Sequence, residues 1–224
     1  MAFYTDIFFD LDGTLTDPGL GITNSVMHAL RHYGIPIPPR EELYRFIGPP
    51  LVDSFMRWYG FSAPRAREAV DVYREHFAEV GLFENEVYPG VPEMLKRLRA
   101  AGRRLVVATS KPEPFALRIL EHFGLAEDFD LIAGATMDET RAHKWEVIAY
   151  ALARCADPPR SRVLMVGDRE HDVLGARRCG LDCLGVLYGY GSRSELAAAG
   201  AAALAETPER VADFILSSER EREP

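Results

Sequence analysis

From residue 104 onward the chain alternates short apolar runs, at 104–108, 129–133, 162–166 and 182–187, with helical stretches at 113–123, 142–154, 170–179 and 207–217. That alternation predicts βα units that build a parallel sheet. An earlier run, Ile7, Phe8, Phe9 and Leu11, has the continuous apolar character of a strand buried on both faces, and Gly13 is the turn residue that ends it. Between these regions, helical patterns near 20–33, 40–46, 51–59 and 64–79 follow one another without a convincing strand. The expected architecture is a doubly wound α/β core formed by residues 1–15 and 86–224, with an all-helical domain inserted at 16–85. At 224 residues the chain is long enough for such a core.

The first strand delivers two carboxylates, Asp10 and Asp12, to its carboxyl end. In open α/β sheets the ligand crevice lies there. Carboxylates so close repel unless a cation intervenes, and a hard ion such as Mg²⁺, held by carboxylates and substrate phosphate, answers that need. Downstream strands carry matching features. Val106-Val107-Ala108-Thr109-Ser110-Lys111 ends in a hydroxyl pair, Lys144 opens an amphipathic stretch, and Val163-Leu164-Met165-Val166-Gly167 runs into Asp168 and, four residues on, Asp172.

Asp10, Asp12 and Thr14 match the Asp-x-Asp-x-Thr motif of the haloacid dehalogenase superfamily, and Thr109, Lys144 and the Asp168/Asp172 pair follow in that family's order. The chain resembles the superfamily over essentially its whole length. The resemblance implies a Rossmann-like core with a helical cap of the C1 type, and a phosphatase working through an aspartyl-phosphate intermediate. By the same resemblance Asp10 is the nucleophile and Asp12 the general acid and base. Thr109 and Ser110 bind the transferring phosphoryl group, and Lys144 neutralises its charge and orients Asp10. The implied Mg²⁺ site comprises the Asp10 carboxylate, the Asp12 backbone carbonyl and Asp168, with Asp172 either reaching the ion through water or steadying Lys144. Read only as residues, Thr109 and Ser110 could instead cap the following helix, and Asp168 and Asp172 could be its acidic first turn.

Departures from the family narrow the choice. Asp12 favours phosphate chemistry over haloalkanoate dehalogenation, and the absence of any lysine before Lys96 counts against phosphonatases and β-phosphoglucomutases, which use a cap lysine. The segment Arg45-Phe46-Ile47-Gly48-Pro49-Pro50-Leu51 looks like the specificity loop of phosphoglycolate phosphatase-like proteins. Arg45 is its candidate for a second anionic group of the substrate; a solvated arginine is the alternative. Phosphoglycolate is the first expected substrate and a nucleoside 5′-monophosphate the second. A phosphotransferase or phosphomutase, and a non-catalytic binding protein on the same fold, remain open.

Composition sets the remaining bounds. A net charge of −8 argues against a nucleic-acid-binding surface, and no apolar run approaches the roughly 18 residues of a membrane helix. The first eleven residues lack a signal-type pattern. Cys155, Cys179 and Cys183 form no Cys-x-x-Cys pair, which fits reduced packing thiols. A cytoplasmic monomer or homodimer acting on a small phosphorylated metabolite is the expectation. Of the 26 basic residues only Lys96, Lys111 and Lys144 are lysine, and two of these three stand at or beside motif positions. His28 and His32, four apart, read as helix-surface residues, His171 as a surface residue, and Phe55, Trp58, Tyr59 and Phe61 as core of the helical insert. The Gly189-Tyr190-Gly191 segment reads as a turn, Ala197 to Ala203 as a helix end and turn, and Ser217 to Pro224 as a charged, frayed tail.

Overall fold

The computed structural model of the protein describes residues 3–220. Its main sheet contains β1 (Asp6–Phe9), β4 (Arg104–Pro112), β5 (Leu131–Ala135), β6 (Val163–Gly167), β7 (Asp182–Val186) and β8 (Ala203–Ala205), in the order β5-β4-β1-β6-β7-β8. Every described pairing in this sheet is parallel. β1 lies between β4 and β6, with Phe8 opposite both Val106 and Met165. The chain adds β4 and β5 on one side of β1 and then β6, β7 and β8 on the other, so strand order reverses there. Such a switch point opens a crevice beyond the strand ends.

The helices of this layer are α5 (Val91–Ala100), α6 (Glu113–His122), α7 (Lys144–Arg154), α8 (Glu170–Arg178), α9 (Arg193–Ala199) and α10 (Pro208–Arg220). The apolar face of α7 turns toward the sheet: Val147, Ile148, Ala151 and Leu152 join Phe8, Val106, Met165 and Val173 in one buried cluster. Cys155 and Cys183 are buried in that cluster and Cys179 packs against it. Burial pushes the Cys183 thiol well up, as for an inert packing residue.

Two compact units emerge from the fold, Met1–Thr16 with Val87–Pro224, and Asp17–Glu86. The second contains α1 (Gly19–His32), α2 (Arg40–Leu43), α3 (Leu51–Tyr59) and α4 (Ala63–His76), the last running into a π-type turn at Phe77–Gly81. Short strands β2 (Thr16–Asp17) and β3 (Glu86–Val87), which pair with each other, stand at its two ends. Inside this unit Phe46, Phe55 and Phe61 are buried, but Trp58 is 38% exposed and Arg45 lies over its ring at 4.5 Å. The expectation that Trp58 belongs to the core is therefore corrected: a guanidinium stacks on it instead.

Other elements differ from the sequence reading for local reasons. β4 continues past Ala108 to Pro112, with an irregular register between those residues. The alanine-rich stretch ends in a strand, β8, held by Ala202 N to Cys183 O at 2.8 Å and Leu187 N to Ala205 O at 2.9 Å. Alanine has little intrinsic preference for strands, so the exposed edge of β7 decides this conformation. α10 reaches Arg220 where fraying was expected from Ser217, and residues 221–224 lie outside the described residues. Among the described residues no helix is long and apolar enough to cross a membrane.

Candidate active site

The site grows from the carboxyl ends of β1, β4 and β6. Asp10 follows β1 directly, and its backbone N–H donates to Val166 O at 2.9 Å, which extends the β1–β6 pairing by one residue. Beyond it the chain turns tightly: Thr14 N and Leu15 N both donate to Leu11 O, at 3.2 and 2.9 Å. Gly13 sits in this turn with φ +82°, and a Cβ there would lie 2.2 Å from Asp168 Oδ2. Only glycine permits both the left-handed backbone and the close approach of Asp168.

On β4, whose register with β5 is irregular between Ala108 and Pro112, Thr109 and Lys111 are 1% and 7% exposed and Ser110 between them is half-buried. Successive side chains of a strand point to opposite faces in this way. Thr109 Oγ1 accepts from Lys111 N at 3.2 Å. Neither Thr109 nor Ser110 caps α6, whose N-cap is Pro112, so the simple capping alternative is not realised.

Lys144 is the first residue of α7, a place the helix dipole disfavours for a cation. Three acceptors hold it: Asp10 Oδ1 at 2.7 Å, Asp172 Oδ1 at 2.8 Å and Ala108 O at 3.1 Å. Burial opposes its charge, but Asp10 and Asp172 raise its pKa above the ordinary lysine range. A second ammonium serves the other motif acid, with Lys111 Nζ 2.8 Å from Asp12 Oδ2. Burial raises the Asp12 carboxyl above its usual range, and Lys111 is the main opposing influence.

Asp168 leaves the end of β6 fully buried, and Asp172 stands in the first turn of α8 with Oδ2 accepting from Arg169 N at 3.0 Å. Asp168 Oδ2 accepts from Tyr190 N at 2.7 Å, while its Oδ1 has no hydrogen-bond partner. Burial, then Asp172 and Asp10, push the Asp168 carboxyl well up; burial likewise moves Asp172 to about 6 against the pull of Lys144. One oxygen from each of Asp10, Asp168 and Asp172 lies within 4.8 Å of the other two. Three buried carboxylates around an unpartnered oxygen are the donor set a hard cation suits. The four carboxylates face two ammoniums, which leaves a formal charge of −2 for a divalent ion to balance.

Thus the structure brings Asp10, Asp12, Thr109, Lys144, Asp168 and Asp172 together in the α/β unit. Arg45 belongs to the helical unit, over Trp58 and, at 5.9 Å, Tyr59, with no hydrogen-bond partner for its buried Nε. His171 is half-buried rather than exposed, and burial with Arg169 lowers its pKa. Two features escaped the sequence reading. Lys111 was visible as a rare lysine beside a motif, but its partner was not. The Gly189-Tyr190-Gly191 turn supplies the N–H that binds Asp168, and a Cβ on Gly189 would meet Gly13 O at 2.2 Å.

A model of haloacid dehalogenase-like hydrolases matches residues 7–186. The chain belongs to that family. This haloacid dehalogenase-like hydrolase is a phosphatase in kind, and its relatives carry several more specific names. It is 51% identical over 195 residues to a 5′-nucleotidase of Pseudomonas aeruginosa, covering 87% of this chain and 88% of that one. It is 45% identical over 185 residues to the tyrosine-protein kinase PtkA of Mycobacterium tuberculosis, covering 83% of this chain but 62% of that protein. A phosphoglycolate phosphatase of Yersinia pseudotuberculosis is more distant, at 29% identity over 189 residues, 82% of this chain and 81% of that one. Among solved structures, a predicted phosphatase of Clostridium acetobutylicum superposes with a TM-score of 0.94 at 43% identity, covering 96% of this hydrolase and 99% of that chain.

Proposed function

We propose that this phosphatase is a Mg²⁺-dependent phosphomonoester hydrolase that uses Asp10 as nucleophile and acts on nucleoside 5′-monophosphates. The observation that carries the chemistry is the pairing of each motif acid with its own buried lysine, Asp10 with Lys144 and Asp12 with Lys111. The two acids thereby have different surroundings and can take different roles.

In the first step an Asp10 carboxylate oxygen bonds to phosphorus, the ester P–O bond breaks, and a proton on Asp12 passes to the departing alkoxide. In the second, water attacks phosphorus, the Asp10 O–P bond breaks, and the proton of that water goes to Asp12, which restores both carboxyls. Thr109 and Ser110 hold the equatorial phosphoryl oxygens, and Lys144 offsets their charge. Asp10, Asp168, Asp172 and the Asp12 carbonyl would hold Mg²⁺, which supplies charge neutralisation to the phosphoryl group. Three free thiols support a cytoplasmic setting.

Similarity supports the nucleotide reading over phosphoglycolate, since the relative named 5′-nucleotidase is 51% identical and the one named phosphoglycolate phosphatase 29%. Phosphoryl transfer to tyrosine is a second reading, favoured by the 45% identity to PtkA. The test is phosphate release, with Mg²⁺ or EDTA, from nucleoside 5′-monophosphates, phosphoglycolate, pyrophosphate and p-nitrophenyl phosphate, beside transfer of labelled phosphate from ATP to a tyrosine peptide. Mg²⁺-dependent release strongest with the nucleotides is expected. Label on the peptide without release from any ester would overturn hydrolysis, and phosphoglycolate ahead of the nucleotides would overturn the substrate.

A further inference from the structure

Lys111 is one of three lysines in a chain that otherwise uses arginine, and it is buried beside Asp12. Its ammonium lies 2.8 Å from Oδ2 of that carboxylate, while Asp12 Oδ1 is buried and has no hydrogen-bond partner. The two oxygens are therefore not equivalent. An ammonium donates and cannot accept, so a proton on Oδ2 would face the N–H bonds of Lys111. The carboxyl proton then belongs on Oδ1.

We propose that Lys111 is a positioning residue that clamps Asp12 Oδ2 and so assigns Oδ1 as the oxygen that delivers and collects the proton in ester cleavage. Strand alternation makes this possible: Thr109 and Lys111 fall on one face of β4 and are both buried, while Ser110 falls on the other and is half-buried. The compact ammonium suits a single oxygen, whereas a guanidinium fork would engage both. The inference rests on the acid and base role of Asp12 and specifies which oxygen performs it and what holds it.

The decisive comparison is between two esters that differ in their need for a proton. The ribose alkoxide of adenosine 5′-monophosphate must be protonated as it leaves; p-nitrophenolate need not be. Lys111→Met is expected to lower kcat/KM on the nucleotide by about 10- to 100-fold, and on p-nitrophenyl phosphate by about 3-fold or less. Asp12→Ala should show the same selectivity more strongly, and adding Lys111→Met to it should cost nothing further, because the lysine acts through that carboxylate. An equal loss on both esters in Lys111→Met, or a raised KM with kcat unchanged, would overturn the clamp in favour of a general packing role or direct substrate binding. An Asp12→Ala loss equal on both esters would remove the acid role of Asp12 and the inference with it. Should Lys111→Met fail to fold, Lys111→Met/Asp12→Asn, which leaves neither partner charged, is compared with Asp12→Asn. Equal rates support the clamp, and a further loss in the double variant overturns it.

Discussion

The Lys144 ammonium lies 2.7 Å from Asp10 Oδ1, with both side chains 5% exposed or less. At such burial neither charge is solvated; Asp10 depends on Lys144, while Lys144 keeps Asp172 Oδ1, at 2.8 Å, as a second partner. Replacing Lys144 with Met leaves Asp10 and Asp172 without their shared cation. We expect activity to fall by at least about 10³-fold and stability by about 3–5 kcal/mol. Phosphate release and a urea titration check this. A stable, active Lys144→Met protein would show that the cation is dispensable.

Asp10→Asn tests the nucleophile differently, because it removes a negative charge from a crowded acidic cluster. Activity should fall by at least about 10³-fold, while the melting temperature of the metal-free protein holds or rises. Retained turnover in a folded Asp10→Asn protein would assign the nucleophile elsewhere.

Asp168 and Asp172 set the sign of a pH effect. Both carboxyls are raised in the folded protein, mainly by burial, Asp172 to about 6. Acids whose folded pKa exceeds the unfolded value, about 4, bind more protons in the native state, so the stability they contribute is present below that value and is lost as pH rises through the folded pKa. Metal-free protein should therefore lose stability between about pH 4 and pH 6 and, through Asp168, beyond. Mg²⁺ opposes this loss, so the rise in melting temperature on adding Mg²⁺ should grow with pH. Thermal melts from pH 5 to 8 with EDTA or MgCl₂ measure it, and Asp168→Asn should flatten the trend. An increment that ignores pH would argue against these acids as the metal site.

Gly189→Ala probes the turn behind Asp168. The new Cβ would lie 2.2 Å from Gly13 O and 2.5 Å from Asp168 Oδ2, so one of them must move. Overpacking of this kind costs about 1–3 kcal/mol, and displacement of Asp168 should weaken Mg²⁺ binding, read as a higher Mg²⁺ concentration for half-maximal activity. Unchanged Mg²⁺ dependence would separate this turn from the metal site.

The apolar runs around Phe8, Val106, Met165 and Leu184 determined the parallel sheet by themselves, because a strand covered on both faces must be apolar along its length. Their polar endings determined the candidate residues too: Asp10, Asp12, Thr109 and Asp168 each follow or end such a run, and Lys144 stood out through the scarcity of lysine. Pairing was decided only by tertiary structure. Nothing local joins Lys111 to Asp12, 99 residues away, or the Gly189-Tyr190-Gly191 turn to Asp168; strand order puts the ends of β1, β4 and β6 together, and burial then forces each charge to find a partner. The same distinction explains β8, where alanines carry no strand signal and the free edge of β7 imposes one. Sequence fixes which groups each strand delivers, since burial and side-chain alternation act locally; the contacts among those groups arise from chain topology, which no local pattern encodes.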